Sequence, residues 1–214
     1  MWLRQQSFLR KEHAMSKLAF IFPGQGAQKA GMGKDFYENS EAARSFFDNA
    51  QKILDFDLKE MCFGEHEELN LTEYTQPCMV SVCLAIVQEL KKRGITPDIT
   101  AGLSLGEYAA VAAAGGMNEL DAIKLVRRRG ILMQSTVPAG EGAMAAVLGL
   151  DAKKIEEILE SFENVWIANY NCPGQIVITG LTNEVQQASL ALKEAGAKRV
   201  VELKVSGPFH SLLL

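Results

Sequence analysis

A serine between two glycines carries the clearest chemical potential in this sequence. Residues 102–107 read Gly-Leu-Ser-Leu-Gly-Glu, which places Ser104 at the centre of a GxSxG pentapeptide. Residues 95–101 are predicted to form a brief buried strand and residues 107–114 a helix, so the serine lies on a strand-to-helix turn. Such a turn strains the serine backbone and brings strand and helix close together, which explains the glycines. The pattern predicts an exposed nucleophile, with the Leu105 amide at the helix start facing a developing oxyanion. An incidental serine in a glycine-rich turn is the alternative.

A glycine-rich loop after the first predicted strand could supply a second oxyanion donor. The apolar residues 18–22 are followed by Pro-Gly-Gln-Gly-Ala-Gln at 23–28. Two glycines around Gln25 let the backbone approach a ligand closely. Phosphate binding is the rival interpretation, but the loop has neither the Walker lysine pattern nor GxGxxG, so it is disfavoured.

Three consecutive arginines lie in a helix that Asn118 is predicted to cap. At about 100° per residue, Arg127 and Arg128 project away from the apolar face of this helix, whereas Arg129 falls at its edge. A charge at that edge is costly unless it meets an anion, so Arg129 is a candidate carboxylate clamp. A structural ion pair with an aspartate or glutamate fits equally well.

One histidine of three has a setting typical of a functional site. His13 lies in the N-terminal stretch and His66 in the polar loop 64–68. His210 follows a Gly-Pro turn at a point where the chain is predicted to cross from one domain to another. Taken alone, a surface histidine is the alternative.

The bulk composition is that of an ordinary globular protein. The 214 residues are 48% hydrophobic and 22% charged, enough for one or two domains. The net charge of -4 argues against a general nucleic-acid binder. The four cysteines show no metal-ligand spacing, so a reduced, cytoplasmic setting is predicted. The longest apolar run, residues 77–87, is too short to cross a bilayer, so no membrane segment is predicted.

The first fourteen residues do not have the continuous apolar core of a secretory signal. Because Met15 leads directly into the first predicted strand, we expect Met15 to be the start and residues 1–14 to be an N-terminal extension. A short organelle-targeting peptide is the alternative.

The pattern of predicted elements changes at Gly142. From there the sequence predicts strand, helix, two strands, helix and strand, the βαββαβ order of a ferredoxin-like unit. We therefore predict an α/β protein in which a large domain, residues 15–138 and 207–214, carries an inserted small domain, residues 139–206.

Five motifs occur in an order that few families share. They are Gly-Gln-Gly-Ala-Gln (24–28), Gly-Leu-Ser-Leu-Gly-Glu (102–107), Arg-Gly-x-x-Met-Gln (129–134), Asn-Tyr-Asn-Cys-Pro-Gly-Gln (169–175) and Gly-Pro-Phe-His-Ser (207–211). In these motifs the chain, from Met15 to its last residue, resembles the malonyl-CoA:acyl carrier protein transacylases of fatty acid synthesis. It is also similar to the acyltransferase domains of polyketide synthases, but the short form and the Gly-Pro-Phe-His sequence favour the discrete bacterial enzyme.

The resemblance implies a hydrolase-like α/β large domain with a parallel sheet and a ferredoxin-like insertion. It also implies transfer of a malonyl group from malonyl-CoA to the phosphopantetheine thiol of acyl carrier protein through a malonyl-serine. Ser104 and His210 would be catalytic, and the Gln25 and Leu105 amides would form the oxyanion hole. The substrate-binding residues would be Arg129, Met133, Asn169 and Asn171. No metal or cofactor, no nucleic acid and no membrane are expected, and the full-length protein is expected to be a cytoplasmic monomer.

Two features depart from that family. Leu103 stands where many relatives have histidine, a difference that bacterial members also show. The relatives continue well beyond the Gly-Pro-Phe-His-Ser motif, and residues 211–214 resemble an apolar helix cut in its first turn, so we expect a C-terminal truncation. The carbonyl that orients His210 would then lie in the missing part.

Two other functions fit part of the pattern. A serine esterase or lipase shares GxSxG and a downstream histidine, but Arg129 and the βαββαβ unit argue against it. A catalytically impaired fragment that only binds carrier protein is the other. A basic surface for an acidic carrier could include Arg127, Arg128, Lys198 and Arg199, although a solvated face is the alternative.

Overall fold

The computed structural model describes residues 17–138, 140–203, 205 and 207–214. The strands within these residues are β1 (Ala19–Phe22), β2 (Ile99–Gly102), β3 (Gly142–Leu148), β4 (Val165–Cys172), β5 (Gln175–Leu181) and β6 (Arg199–Glu202). The α-helices are α1 (Lys34–Asn39), α2 (Glu41–Gln51), α3 (Leu58–Phe63), α4 (Thr72–Lys92), α5 (Leu105–Ala113), α6 (Glu119–Thr136), α7 (Ala152–Leu159) and α8 (Thr182–Glu194). A short 3₁₀ helix covers Glu67–Asn70. In this part of the chain no helix has both the length and the apolar character needed to span a bilayer.

The chain divides into two compact units. Among the described residues, the first unit contains those up to Asn70 together with Tyr74–Arg128, and the second contains Leu71–Glu73 together with those from Arg129 onward. The second unit takes in the segment predicted as the small domain, and residues 129–138 and 207–214 group with it as well.

A parallel pair of strands, β1 and β2, forms the sheet of the first unit and confirms an α/β fold with a parallel sheet. Phe20 and Phe22 contact the helical core through one face of this pair. Ile21 and Ile99 lie on the other face, where they are 79% and 59% exposed. The prediction of a buried strand before Ser104 is therefore wrong in its burial, and the strand begins at Ile99, not at residue 95.

The core of the first unit is built by α2 to α5 and the first half of α6. Its largest fully buried side chains include Phe47, Leu58, Leu84, Leu105 and Ile123. Asn118 caps α6 as predicted, since its Oδ1 accepts from the amides of Leu120 (2.9 Å) and Asp121 (3.3 Å). Helix α4 begins at Thr72. Thr75 lies inside the helix and donates to the Leu69 carbonyl at 2.6 Å.

Arg127 corrects the prediction made from helical spacing. Its side chain is only 13% exposed, and its guanidinium donates twice to the Asp55 carboxylate, Nε to Oδ1 at 2.9 Å and Nη2 to Oδ2 at 3.0 Å. The same guanidinium lies 5.2 Å from the Phe56 ring centre and 4.9 Å from that of Tyr74. This hydrogen bonding lowers the pKa of the Asp55 carboxyl. Arg127 is thus a packed structural residue and not an exposed docking charge, whereas Arg128 is exposed as predicted.

A four-stranded antiparallel sheet in the order β4-β5-β3-β6 forms the second unit and confirms the predicted βαββαβ element order. Helices α7 and α8 cover one face, where Val147 and Ile178 of the sheet pack against Ile155 and Leu192 of the helices. The other face carries a second apolar cluster, the sheet-face cluster, which consists of Met144, Ala146, Val177 and Phe209. Phe209 brings the C-terminal segment onto this face.

Candidate functional site

Ser104 occupies the predicted strained turn. Strand β2 ends at Gly102 and α5 begins at Leu105, so only Leu103 and Ser104 separate the strand from the helix, and Ser104 has φ 49° and ψ -101°. A positive φ is disfavoured for a residue with a Cβ and persists only where the surroundings enforce it. The serine side chain makes no helix-capping bond and is partly buried instead of fully exposed. The predicted backbone strain at Ser104 is confirmed.

The Leu105 amide has the position predicted for an anion-facing donor. The next two amides, of Gly106 and Glu107, donate to the Leu103 carbonyl (2.9 Å) and the Ser104 carbonyl (3.1 Å). No acceptor for the Leu105 amide occurs among the residues that the structure describes. An orphan amide in the first turn of a helix is suited to negative charge.

Two glycines allow this turn to pack against the end of β1. A Cβ on Gly102 would lie 2.1 Å from the Gly106 carbonyl carbon, and a Cβ on Gly106 would lie 2.4 Å from the Phe22 carbonyl oxygen. The Leu103 amide also donates to that oxygen at 3.1 Å. Backbone therefore touches backbone on both sides of Ser104, which is why the pentapeptide needs glycine at these two positions.

Replacing Gly106 with alanine is expected to lower the free energy of unfolding by about 3 kcal/mol, because the added methyl group meets rigid backbone that cannot rotate away. Urea unfolding followed by circular dichroism measures the loss. Gly116→Ala is the matched control, since its nearest neighbour is a flexible Val111 side-chain carbon at 3.2 Å. A change for Gly106→Ala within about 1 kcal/mol of the control would contradict the backbone contact.

The glycine-rich loop after β1 lies beside the same turn. A Cβ on Gly24 would come within 2.9 Å of the Leu103 carbonyl oxygen, so the two loops touch. Gly26 has φ +109°, and its amide donates to Oε1 of Gln28 at 2.7 Å. The first unit thus brings together Gln25, Ser104 and Leu105, the three candidate residues predicted in its sequence.

Arg129 belongs to the second unit, where the residues around it explain its motif. A Cβ on Gly130 would lie 2.7 Å from the Glu73 Cα and 2.8 Å from the Thr72 carbonyl oxygen. One helical turn later, Oε1 of Gln134 accepts from the Thr72 amide at 3.2 Å. Gly130 and Gln134 therefore fix the backbone on which Arg129 stands. Sequence reasoning missed both, although a glycine inside a helix with a polar residue four positions later is the signal.

His210 follows an anchored tripeptide. Gly207, Pro208 and Phe209 are buried, with Phe209 only 6% exposed in the sheet-face cluster. Gly142 at the start of β3 makes room for Pro208, because a Cβ there would lie 2.1 Å from the proline Cδ. His210 itself has φ 60°, a second strained backbone outside glycine.

The electrostatics of His210 favour its neutral form. Although the residue retains solvent access, partial burial lowers the pKa of the imidazole below its usual value of 6.5, and the Arg129 guanidinium lowers it further. Both causes disfavour the protonated ring. The second unit thus places Arg129 and His210 within electrostatic reach of each other.

The other predicted substrate-binding residues also lie in the second unit. Met133 is partly buried against the sheet-face cluster. A bulge between Ile167 and Asn169 places Asn169 opposite Val177, a member of that cluster. Asn171 lies in β4 at a second irregularity and is exposed.

Across the described ranges, no group of three or more His, Cys, Asp or Glu side chains is placed to hold a metal ion.

Known proteins match this chain closely. Malonyl CoA-acyl carrier protein transacylase of Bacillus subtilis strain 168 is 50% identical over 205 residues, which are 94% of this chain and 65% of that protein. The crystal structure of malonyl CoA-acyl carrier protein transacylase from Clostridium perfringens aligns with a TM-score of 0.88 at 44% identity, covering 92% of this chain and 64% of that one. A chain from the structure of a type II polyketide synthase acyl-carrier protein in complex with its malonyl-transacylase aligns with a TM-score of 0.88 at 40% identity, covering 92% of this chain and 66% of that one.

The chain thus spans 65% of the length of the Bacillus relative. The match with the acyl transferase domain family covers residues 19–213, a range that spans most of both units and every predicted site residue. On this match the chain belongs to the acyl transferase domain family.

Proposed function

We propose that this chain carries the machinery for moving a malonyl group from malonyl-CoA to the phosphopantetheine thiol of acyl carrier protein. The observation that carries the proposal is the strained Ser104 turn with an orphan helix amide beside it. The names of the relatives, malonyl CoA-acyl carrier protein transacylase and a malonyl-transacylase in complex with an acyl-carrier protein, support the substrate and the partner.

In the proposed first half-reaction, the Ser104 hydroxyl oxygen attacks the thioester carbonyl of malonyl-CoA. His210 accepts the hydroxyl proton, and the tetrahedral intermediate collapses to a malonyl-serine ester. The coenzyme A thiolate leaves and takes up the proton from His210. A positioned general base of this kind contributes about 10²–10⁴-fold in rate. The lowered pKa of His210 suits the role, because the imidazole must be neutral to accept a proton.

In the second half-reaction, the carrier thiol loses its proton to His210 and attacks the ester carbonyl. Ser104 is released with its proton restored, and the malonyl group leaves on the carrier. This ping-pong sequence needs no metal and no redox cofactor.

The oxyanion of both intermediates would be held by the amides of Leu105 and Gln25. Losing one such donor typically costs about 2.7–4 kcal/mol of transition-state stabilisation. Contact between the two loops at Gly24 and Leu103 supports their joint use.

Substrate selection would rest on Arg129, which would bind the malonyl carboxylate through a bidentate pair. Met133, Asn169 and Asn171 complete the proposed substrate-binding set. The placement of Met133 and Asn169 at the sheet-face cluster supports it for those two residues.

We assign residues 139–206 to a ferredoxin-like domain inserted into a hydrolase-like large domain formed by residues 15–138 and 207–214. The βαββαβ order and the strand sequence β4-β5-β3-β6 support the first assignment, and the parallel β1–β2 pair leading into the Ser104 turn supports the second. A cytoplasmic, monomeric full-length protein is the corresponding cellular expectation.

A two-step mass experiment tests the proposed transfer. The chain is loaded with malonyl-CoA, freed of excess reagent, and then mixed with carrier protein that bears phosphopantetheine. We expect a malonyl adduct first on the chain and then on the carrier. Carrier protein without phosphopantetheine is the control and should leave the adduct on the chain. Loss of the adduct to water with both carriers would instead support a serine hydrolase, and absence of any adduct would overturn the proposed function.

A further inference from the structure

The glutamine at the end of the glycine-rich loop makes two bonds that bear on the proposed oxyanion donor. Oε1 of Gln28 accepts from the Gly26 amide at 2.7 Å, and Nε2 of Gln28 donates to Oδ1 of Asn70 at 3.1 Å. Asn70 ends the 3₁₀ helix Glu67–Asn70 in the same unit. One side chain therefore connects the loop to a separate element of the unit.

This connection restrains the backbone next to Gln25. The Gly26 amide belongs to the peptide plane that follows Gln25, so fixing that amide also fixes the Gln25 carbonyl. On the other side, Gly24 is packed against the Leu103 carbonyl. Gln25 is thus held from both sides, between a steric contact and a hydrogen bond.

The restraint matters because the loop contains a glycine whose backbone can change conformation easily. Gly26 has φ +109°, and glycine exchanges readily between positive and negative φ. An oxyanion donor must lie within about 2.7–3.1 Å of the developing charge, so a small rotation of the loop would weaken it. The bond to Gln28 also occupies the Gly26 amide, so an incoming oxyanion is directed to the preceding amide, that of Gln25.

We propose that Gln28 is a positioning residue that aligns the Gln25 amide for oxyanion stabilisation by bridging Gly26 to Asn70. This inference rests on the proposed function, since it needs an oxyanion to form at Ser104. Gln28 acts through the loop and does not itself contact the reacting atoms.

The test measures the single-turnover rate of malonyl adduct formation as a function of malonyl-CoA concentration. In Gln28→Ala the maximal rate is expected to fall about tenfold with an unchanged half-saturating concentration, because the oxyanion exists only in the transition state and intermediate. Asn70→Ala should lower the maximal rate in the same direction. Asn70→Asp should stay within about threefold of the unsubstituted chain, since a carboxylate oxygen still accepts from Nε2 of Gln28.

Gln51 provides a matched control in the same unit. Its carboxamide makes the same kind of bridge, donating to the Phe56 carbonyl at 2.8 Å and accepting from the Leu58 amide at 2.8 Å. Gln51→Ala should lower the thermal midpoint without changing the maximal rate.

The outcomes separate this inference from the proposed function. An unchanged maximal rate in both Gln28→Ala and Asn70→Ala would overturn the positioning role while leaving the transfer intact. So would an equal loss of rate in Gln51→Ala. Absence of a malonyl adduct on the unsubstituted chain would overturn the proposed function and this inference together.

Discussion

Replacing Ser104 with alanine is expected to abolish the malonyl adduct and to leave the fold intact. Alanine has no oxygen that could form the ester, so intact mass after incubation with malonyl-CoA should show only the unmodified chain. The fold should persist because the Ser104 side chain does not cap α5 and because alanine keeps the same Cβ at the strained position. We expect the free energy of unfolding to change by no more than about 0.5 kcal/mol.

Two companion variants separate chemistry from strain at this turn. Ser104→Gly should also lose the adduct but should raise the free energy of unfolding by about 1 kcal/mol, because φ 49° costs glycine little. His210→Ala should keep the nucleophile and form the adduct about 10²–10⁴-fold more slowly. A malonyl adduct of normal yield on Ser104→Ala would show that another residue is acylated, and Ser104 would lose its role.

The features that the sequence predicts well are those fixed by neighbouring residues. The strained serine, the start of α5 and the glycines of the turn all follow from one pentapeptide, since strand, turn and helix are local there. The βαββαβ order likewise follows from local periodicity and capping, as with Asp151, whose side chain accepts from the Lys153 amide at the start of α7.

The features that the sequence predicts poorly depend on partners far along the chain. Arg127 and Asp55 are 72 positions apart. The periodicity of α6 does not indicate that the Arg127 guanidinium contacts a carboxylate and two aromatic rings. Oε1 of Gln134 accepts from the Thr72 amide across 62 positions. The structural role of the glutamine in the Arg-Gly-x-x-Met-Gln motif therefore cannot be predicted from the residues beside it. The bulge before Asn169 is invisible for a different reason, because bulges interrupt the alternation from which strand faces are read.

Replacing Arg129 with glutamine is expected to slow malonyl adduct formation by about 10²-fold. A hydrogen bond to a charged group contributes about 1.5–3 kcal/mol net, and the proposed pair with the malonyl carboxylate has two of them, partly offset by desolvation of both charges. Acetyl-CoA has no carboxylate, so its slower reaction should change by less than about threefold. The ratio of the two rates therefore measures the clamp, free of any general loss of activity.

Arg128→Gln is the matched control, because it removes the same charge from the neighbouring, exposed position of the same helix. It should leave both rates unchanged.

The Arg129→Gln variant should also shift the pH profile. The adduct forms only when His210 is neutral, and its lowered pKa keeps the rate high until the pH falls below 6.5. Removing the guanidinium takes away the smaller of the two causes that lower the His210 pKa, so that pKa should rise and the fall in rate should move toward higher pH. Burial still lowers the pKa and should keep the fall in rate below pH 6.5. Equal losses with malonyl-CoA and acetyl-CoA, together with an unmoved pH profile, would show that Arg129 only stabilises the fold.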